Sequence, residues 1–206
     1  MGGRIGLIRK HFDNHDVLAN ILRGLQSQGK KIVFTNGSFD ILHVGHIRCL
    51  KDAKSRGDFL VVGLNSDKSI RTYKDPTLPV FPLAERIEMM EALSFVDYVT
   101  SFDEESADEV LRKLKPDVHA KGTDYKEETV PERDTVLGYG GQIVICGDKK
   151  THSSREVIRK IEQTALKRSA GGQKGSKKKP SGEPPTAAKP RRKAVAARRV
   201  AGPRSG

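Results

Sequence analysis

Short apolar runs alternate with stretches of helical periodicity along most of the chain. Between the runs, apolar residues recur every three or four positions, the pattern of a helix packed on one side. No hairpin signal joins consecutive runs, so each connection should be a helical crossover between parallel strands. The runs that predict strands are 32–34, 59–64, 96–99, 118–120 and 142–146. We therefore expect an α/β fold, a Rossmann-like, doubly wound sheet of five parallel strands.

Helix signals flank these runs. Asp13 or Asn14 can cap a helix that continues to about Gln28. We expect residues 1–29 to form an accessory helix packed on the sheet, and residues 30–166 to form the main domain. Further helices are expected after the first strand, from Pro82, from Ser106 to Leu114, near Val130 to Tyr139, and after Ser153, a plausible N-cap.

The composition changes at Lys167. Residues 167–206 carry 13 Lys and Arg, one acid and five prolines, whereas the preceding residues hold 25 basic and 25 acidic side chains. We expect this Lys/Arg/Pro-rich tail to be disordered. Its charge would favour nucleic acid or another polyanion in a salt-dependent, sequence-independent way. A solvated tail without a dedicated partner explains the same composition equally well.

The cysteine count and the apolar runs bear on location. Two cysteines, Cys49 and Cys146, form no disulfide framework, which suits a reducing compartment. No apolar run approaches membrane-spanning length, and the N-terminus lacks the charged-then-apolar pattern of a secretory signal. We expect a cytoplasmic protein with no membrane contact.

Two histidines follow the first predicted strand, in His43-Val44-Gly45-His46. Their spacing puts both imidazoles on one face of a first helical turn. Gly45 has no Cβ, so a bulky ligand can approach the backbone there. The start of a helix offers free N–H groups and a partial positive charge, which suit phosphate. Two imidazoles beside that phosphate could stabilise the charge that builds during phosphoryl transfer.

Two other interpretations of the histidines compete. They could be satisfied polar residues near a helix start. Together with Cys49 they could also be metal ligands at helical spacing, but zinc sites usually need a fourth ligand or a second Cys/His pair. Because Cys146 is far away in sequence, we expect no metal site on the protein itself.

Polar residues also follow the later strands. The carboxyl ends of parallel strands share one edge of a sheet, so these residues predict a single cleft there. Arg86 lies on a different part of its helix, either as a surface charge or in reach of a phosphate. At the last helix, Ser153, Ser154 and Arg155 could form a second phosphate-binding helix start.

Asn36-Gly37-Ser38-Phe39-Asp40 followed by His43-Val44-Gly45-His46 resembles the His-x-Gly-His, or cytidylyltransferase-like, nucleotidyltransferase superfamily. Further segments resemble the heptose 1-phosphate adenylyltransferase domain, the nucleotidyltransferase half of the bifunctional enzyme that makes ADP-heptose for lipopolysaccharide. These segments are 63–67, 96–99, 121–125 and 152–154. The resemblance runs in order from about Asp16 to Ile161.

The resemblance implies roles for individual residues. His43 and His46 would contact the NTP phosphates and stabilise the transition state, and Ser153 and Ser154 would hold phosphate. The other implied nucleotide-binding residues are Asn36, Gly37, Ser38 and Phe39. We add Gly45 because of its position between the histidines, and Arg155 because of its charge at the last helix. The implied phosphate- or sugar-binding residues are Lys74, Arg86, Lys121 and Asp124.

The implied reaction, carried by residues 30–166, is transfer of AMP from ATP to a sugar 1-phosphate with release of pyrophosphate. Mg²⁺ is expected from the NTP chemistry, and the family suggests a homodimer. One alternative is cytidylyl transfer to another alcohol phosphate, such as glycerol 3-phosphate. Another is a non-catalytic nucleotide-binding protein, which the basic tail favours and the intact histidine pair disfavours.

The chain departs from the family pattern after the second strand. The family usually carries Lys-Gly-x-x-Arg-Pro there, whereas this chain has Lys74-Asp75-Pro76-Thr77-Leu78-Pro79. The arginine is therefore absent and an acid is added. Ser154 and Arg155 also stand where Thr and a smaller residue are common, and the basic tail lies outside the pattern.

Overall fold

Five parallel strands form one sheet in the order β3-β2-β1-β4-β5. The structure is a computed structural model that describes residues 9–148 and 154–171. The strands are β1 Ile32–Gly37, β2 Phe59–Asn65, β3 Tyr98–Phe102, β4 Val118–Gly122 and β5 Gln142–Cys146. Helices follow the strands as crossovers, which confirms the predicted Rossmann-like α/β sheet.

Seven α-helices lie within the described residues. They are α1 His15–Gln26, α2 Val44–Lys54, α3 Asp67–Tyr73, α4 Leu83–Glu91, α5 Asp108–Leu114, α6 Arg133–Gly138 and α7 Ser154–Gly171, with a short 3-10 helix at Glu127–Thr129. None of these helices is long and apolar enough to cross a bilayer.

The strand order reverses direction beside β1. The chain adds β2 and then β3 on one side of β1, and then places β4 on the other side, paired with β1 from Val33 opposite Val118 to Thr35 opposite Ala120. Ligand sites of open α/β sheets lie at such a switch point, outside the carboxyl ends of the strands. The loops after β1 and β4 therefore meet at the expected edge.

Two hydrophobic clusters cover the two faces of the sheet. Alternate side chains of β1 point to opposite faces, Phe34 into one cluster and Val33 into the other. The first cluster holds α1, α5 and α6 against the sheet, and the second holds α2 and α4. The nearly continuous apolar strands are thus buried on both faces, as in other parallel sheets.

Gly63 in β2 leaves room for the ring of Phe34 from β1 on the first face of the sheet. A Cβ on Gly63 would lie 2.6 Å from the ring of Phe34, which is fully buried. That distance is shorter than any ordinary carbon–carbon contact, so the Phe34 ring occupies the space that a side chain at 63 would need.

The N-terminal segment is more closely tied to the sheet than an accessory helix. Asn14 caps α1 by accepting hydrogen bonds from the backbone N–H of Asp16 and Val17. Before Asn14, Lys10 and Phe12 form backbone hydrogen bonds with Val99. This segment therefore pairs in parallel with the outer edge of β3. The sequence did not predict this extended segment, which is too short to show a period of two.

Several boundaries differ from the prediction. The third strand begins at Tyr98, because the backbone N–H of Val96 bonds the carbonyl of Leu93 in the turn that ends α4. The fifth helix begins at Asp108 rather than Ser106, whose hydroxyl bonds the carboxylate of Asp108. Helix α3 was not predicted, since its seven residues are too few for a clear apolar stripe.

The tail prediction needs one correction. Helix α7 continues to Gly171, so residues 167–171 are helical and the expected disordered tail cannot begin at Lys167. The chain divides into two units between Ala165 and Leu166, and the first unit contains the N-terminal helix together with the sheet. Residues 172–206, the rest of the predicted tail, lie outside the described residues.

Candidate active site

A cleft of about 1130 Å³ opens at the carboxyl edge of the sheet, beside the switch point. Its walls come from the loop after β1, the start of α2, the segment after α3, the loops after β4 and β5, and the first turns of α7. The predicted site residues that line it are Ser38, His43, Gly45, His46, Lys74, Asp124 and Ser154. The structure therefore brings these residues, which come from several separate segments of the chain, to one cleft.

The two histidines stack against each other at the start of α2. His43 is the N-cap of the helix, His46 lies in its first turn, and the ring centroids are 3.8 Å apart at an angle of 18°. The predicted spacing therefore brings both rings to one face. The same turn places His43, Gly45 and His46 in the cleft lining, so both imidazole groups and the start of a helix, which favours anions, face the cleft together.

His46 is a neutral imidazole in the free protein. Burial, the nearby His43 and the Lys74 ammonium together lower its pKa to about 4. Its Nδ1 is buried and has no hydrogen-bond partner among the described residues. Since burial and nearby positive charge lower the pKa of His46, an anionic phosphate bound beside the ring should raise it again.

Phe39 supports this pair from behind. Its buried ring meets the ring of His46 edge to face, with centroids 5.2 Å apart. The Phe39 backbone has a φ of 42°, which is unfavourable for a bulky side chain and costs on the order of 1–3 kcal/mol. Gly37 allows this turn, because a Cβ there would lie 3.1 Å from the Phe39 ring. Gly37 and Phe39 do not line the cleft, although both were expected to bind the nucleotide; they shape the loop that carries Ser38.

Asp40 connects the loop between β1 and α2, here called the histidine loop, to the loop before α4. Its buried carboxylate accepts hydrogen bonds from the backbone N–H groups of Val80 and Phe81, at 2.9 and 2.8 Å. The segment before them brings Leu78 to the cleft wall. The position at which the resembling family carries an arginine is thus a cleft position, and here it is apolar.

Arg86 does not reach the cleft, although the sequence placed it among the expected substrate-binding residues. Its side chain is fully buried. It donates hydrogen bonds to the carbonyls of Phe81, Ser38 and Asn65, and it pairs with Asp67 at 2.8 Å. A surface charge is therefore excluded. Arg86 joins α4 to the loops after β1 and β2, and among its hydrogen-bond partners Ser38 lines the cleft.

Tyr73 and Lys74 also line the cleft. The Lys74 ammonium donates to the Ser38 hydroxyl at 2.8 Å and lies over the Tyr73 ring at 5.3 Å. Burial raises the pKa of Tyr73 to about 12, so its hydroxyl keeps its proton at neutral pH and remains a donor. Lys74 is an exposed cation that lines the cleft.

Lys121 turns away from the cleft, into a buried charged network at the ends of β1 and β4. Its ammonium lies 3.2 Å from Glu132, donates to Asn36 Oδ1 at 3.1 Å, and sits under the Tyr125 ring. Asn36 in turn donates to Glu132 at 3.3 Å. The two predicted ligand-binding residues of this group, Asn36 and Lys121, therefore bind each other and Glu132 rather than lining the cleft.

His119 completes the network. Its fully buried ring stacks on Phe34, and its Nε2 lies 3.5 Å from Glu132. Burial alone would raise the pKa of Glu132, but His119 and the Lys121 ammonium outweigh it and hold that pKa well below its usual range. Burial lowers the pKa of His119 despite Glu132. The network is thus a carboxylate and an ammonium with a neutral imidazole.

The remaining wall comes from the end of the sheet and from α7. Asp124 and Tyr125 follow β4, and the Ser154 hydroxyl at the start of α7 donates to the carbonyl of Ile41 at 3.3 Å. This bond places the start of α7 beside the histidine loop. Ser153 lies outside the described residues, and Arg155 is described only as a residue of α7.

The described residues contain no cluster of three His, Cys, Asp or Glu side chains that could hold a metal ion. His43, His46 and Cys49 therefore do not form the metal site considered from the sequence. The side chains around the cleft also do not fit a protein cage for Mg²⁺, which prefers six oxygen ligands in octahedral geometry.

Sequence reasoning missed two of the site's polar residues. Glu132 follows no strand and belongs to no recognised motif, so nothing in its surroundings separates it from a surface acid. Tyr73 ends a helix that was not predicted. Tyr125, in contrast, lies in the Lys121–Tyr125 motif, whose position after a strand was the available signal.

Comparison with protein families shows which family the chain belongs to. Residues 34–160 match the cytidylyltransferase-like family, which covers the histidine loop, the sheet from β1 onward and the start of α7. The chain belongs to the cytidylyltransferase-like family. This membership confirms the resemblance drawn from the sequence and the prediction that the chain is a nucleotidyltransferase enzyme.

Similar sequences identify relatives of the chain within this family. The chain is 46% identical over 148 residues to the bifunctional protein HldE of Geobacter metallireducens, and 39% identical over 157 residues to that of Hydrogenovibrio crunogenus. The matched segments are 72% and 76% of this chain, but only 30% and 33% of those proteins. The chain thus spans about a third of the length of these curated relatives.

Solved structures agree with the family. A lipopolysaccharide core biosynthesis protein from Thermoplasma volcanium is 31% identical and aligns over 59% of this chain and all of its own, with a TM-score of 0.52. Pantoate-beta-alanine ligase from Francisella tularensis aligns over 76% of this chain and 77% of its own, with a TM-score of 0.57. At 19% identity, the latter shows the fold alone.

Proposed function

We propose that this chain transfers AMP from ATP to a sugar 1-phosphate, with heptose 1-phosphate as the acceptor, and releases pyrophosphate. The observation that carries the proposal is the stacked pair His43 and His46 at the start of α2, facing the cleft. The choice of ATP and of a heptose rests on the sequence resemblance to heptose 1-phosphate adenylyltransferase domains. The HldE relatives and the lipopolysaccharide core biosynthesis protein support it.

In this reaction a phosphate oxygen of the acceptor attacks the α-phosphorus of ATP. The bond from that phosphorus to the bridging oxygen breaks as the new one forms, and its electron pair leaves with pyrophosphate. No covalent enzyme intermediate is needed, so the site acts by positioning the reactants and stabilising charge. His43, His46 and the N-terminal turn of α2 supply donors to the phosphoryl oxygens, and Lys74 supplies a positive charge.

Mg²⁺ enters this proposal only as part of the nucleotide substrate. A triphosphate offers several oxygen ligands, and Mg²⁺ usually keeps water molecules and binds through substrate phosphates in such sites. Neutralising the triphosphate also suits this cleft, whose lining includes the carboxylates of Asp75, Asp124 and Asp148. The cytoplasmic location expected from the sequence is part of the same proposal.

The acceptor is proposed to lie between Lys74 and Asp124. Asp124 can accept hydrogen bonds from sugar hydroxyls, and Lys74 can pair with the acceptor phosphate. Lys121, which was expected from the sequence to do this, is bound to Glu132 instead. Leu78 gives the wall an apolar patch where the resembling family has a cation.

Pyrophosphate release measured over a grid of nucleotides and acceptors tests the proposal. The grid crosses ATP, CTP, GTP and UTP with heptose 1-phosphate, glycerol 3-phosphate and an acceptor-free control. We expect turnover with ATP and heptose 1-phosphate at least tenfold above every other pair. A maximum for CTP with glycerol 3-phosphate would replace the substrates but keep the chemistry, and no turnover with any pair would leave a nucleotide-binding protein.

A further inference from the structure

The buried network at the ends of β1 and β4 has no role in the reaction described above. Glu132 stands at its centre, 2% exposed, within 3.3 Å of both Asn36 and Lys121. It precedes α6, whereas Asn36 and Lys121 belong to β1 and β4. One carboxylate therefore joins the two strands that flank the switch point.

We propose that Glu132 is a positioning residue for the nucleotide, acting through Lys121 and Asn36 on the strand end from which the nucleotide-binding loop departs. The inference rests on the proposed nucleotidyl transfer, since it concerns the nucleotide side of that site. It assigns no contact between Glu132 and the substrate.

The hydrogen bonds of Asn36 restrict its side chain to few orientations. Its amide oxygen accepts from Lys121 at 3.1 Å, and its amide nitrogen donates to Glu132 at 3.3 Å, so both ends of the side chain are held. Asn36 is followed directly by Gly37 and Ser38, and Ser38 lines the cleft. A fixed Asn36 therefore fixes where this loop leaves the sheet.

The charge balance gives Glu132 a second effect. Lys121 is close to a cleft that is proposed to hold a triphosphate, and a flexible ammonium would move toward such an anion. Glu132 lies 3.2 Å from that ammonium and keeps it beside Asn36. Without the carboxylate, Lys121 is expected to leave Asn36, and the strand end loses both of its side-chain bonds together.

Stability alone is a weak reason for such a pair. Replacing a buried ion pair by uncharged side chains of similar size is often neutral or stabilising, whereas removing one partner is strongly destabilising. A positioning role and a purely structural role therefore predict different behaviour for variants that lack one charge and variants that lack both.

The test measures binding of a non-hydrolysable ATP analogue with Mg²⁺ by calorimetry, together with the melting temperature. Glu132→Gln should melt earlier than wild type and should bind the analogue about tenfold more weakly, because a neutral amide no longer holds the Lys121 ammonium beside Asn36. The double variant Lys121→Met/Glu132→Gln should recover the melting temperature but not the affinity, since Asn36 still lacks its donor. Glu128→Gln removes an exposed charge from the same segment and should change neither quantity.

Kinetics give the second readout. In Glu132→Gln the KM for ATP should rise about tenfold, and the KM for the acceptor should change less than about twofold, since only the nucleotide side is disturbed. Equal affinity in Glu132→Gln and wild type overturns the inference alone, and so does recovery of affinity in the double variant. Absence of nucleotide binding by the wild-type protein overturns the proposed function and this inference with it.

Discussion

His43 and His46 show how much a single pair of side chains carries. Their rings stack 3.8 Å apart at a helix N-terminus that faces the cleft. We expect His43→Ala or His46→Ala to lower kcat by roughly 10²–10³, as the loss of one transition-state donor does. Nucleotide affinity should fall much less.

Steady-state pyrophosphate release in the purified variants measures this effect. His15→Ala is a suitable control, because His15 lies in α1, bonds the carbonyl of Ser101 in β3 and does not line the cleft. Near-normal turnover in both cleft variants would remove the histidines from the mechanism.

His46 also makes stability depend on pH. Its pKa is about 4 in the folded protein against an ordinary 6.5, so the unfolded chain binds more protons between these values. Stability from this residue is therefore complete above pH 6.5 and is lost as the pH falls toward 4. His46→Gln should flatten the curve of melting temperature against pH in that window, although His119, with the same direction of shift, keeps part of the slope.

Melting curves of the wild type and of His46→Gln, taken at matched ionic strength from about pH 7 to about pH 4, measure the difference. Two parallel curves would show that the imidazole does not become protonated on unfolding in this range.

At the scale of elements, the contact between β1 and β2 depends on the absence of a side chain at position 63. A Cβ there would meet the Phe34 ring at 2.6 Å. Gly63→Ala should therefore lower the free energy of unfolding by about 1–3 kcal/mol through overpacking. Urea unfolding measures the loss. Phe34→Leu in the same chain should return part of it, and a loss of the same size with and without Phe34→Leu would place the strain elsewhere.

Arg86 joins elements that are distant in sequence. Its side chain bonds the ends of β1 and β2, the loop before α4 and Asp67, and it is fully buried. Arg86→Met should lower the free energy of unfolding by about 3 kcal/mol, because three carbonyls and a carboxylate lose their donor. Chemical denaturation measures it against Arg112→Met, a surface control that is 55% exposed. A loss as small as that of the control would contradict the contacts.

For the whole molecule, the formal charge separates the domain from the tail. A variant that ends at Gly171 retains all of α7 and removes 11 Lys and Arg with one acid. It should keep full transferase activity and lose salt-sensitive binding to DNA or RNA. Turnover and electrophoretic mobility shifts at two salt concentrations decide this. Loss of turnover would make the tail part of the active site. The homodimer suggested by the family stays a prediction.

Local patterns were enough to predict the architecture and the central motif. Apolar runs and helical spacing report burial of neighbouring residues, so the five strands and the crossovers between them followed from the sequence. His43 and His46 were predicted to share a helix face because their separation is three residues, and the structure places them so. The boundaries at Val96 and Ser106 were wrong, since turn hydrogen bonds decide them and leave little mark on hydrophobic periodicity.

Only the tertiary structure decided which charged residues face the cleft. The sequence places Lys121 after a strand and Arg86 on a helix, and both were expected to bind the substrate. Folding instead brings Glu132, 11 residues beyond Lys121, to that ammonium, and it surrounds Arg86 with carbonyls from three segments. A side chain's partner depends on packing between distant elements, whereas periodicity reports only local burial. The sequence by itself therefore determined the fold and the histidine pair, and the structure decided how the remaining charges are shared.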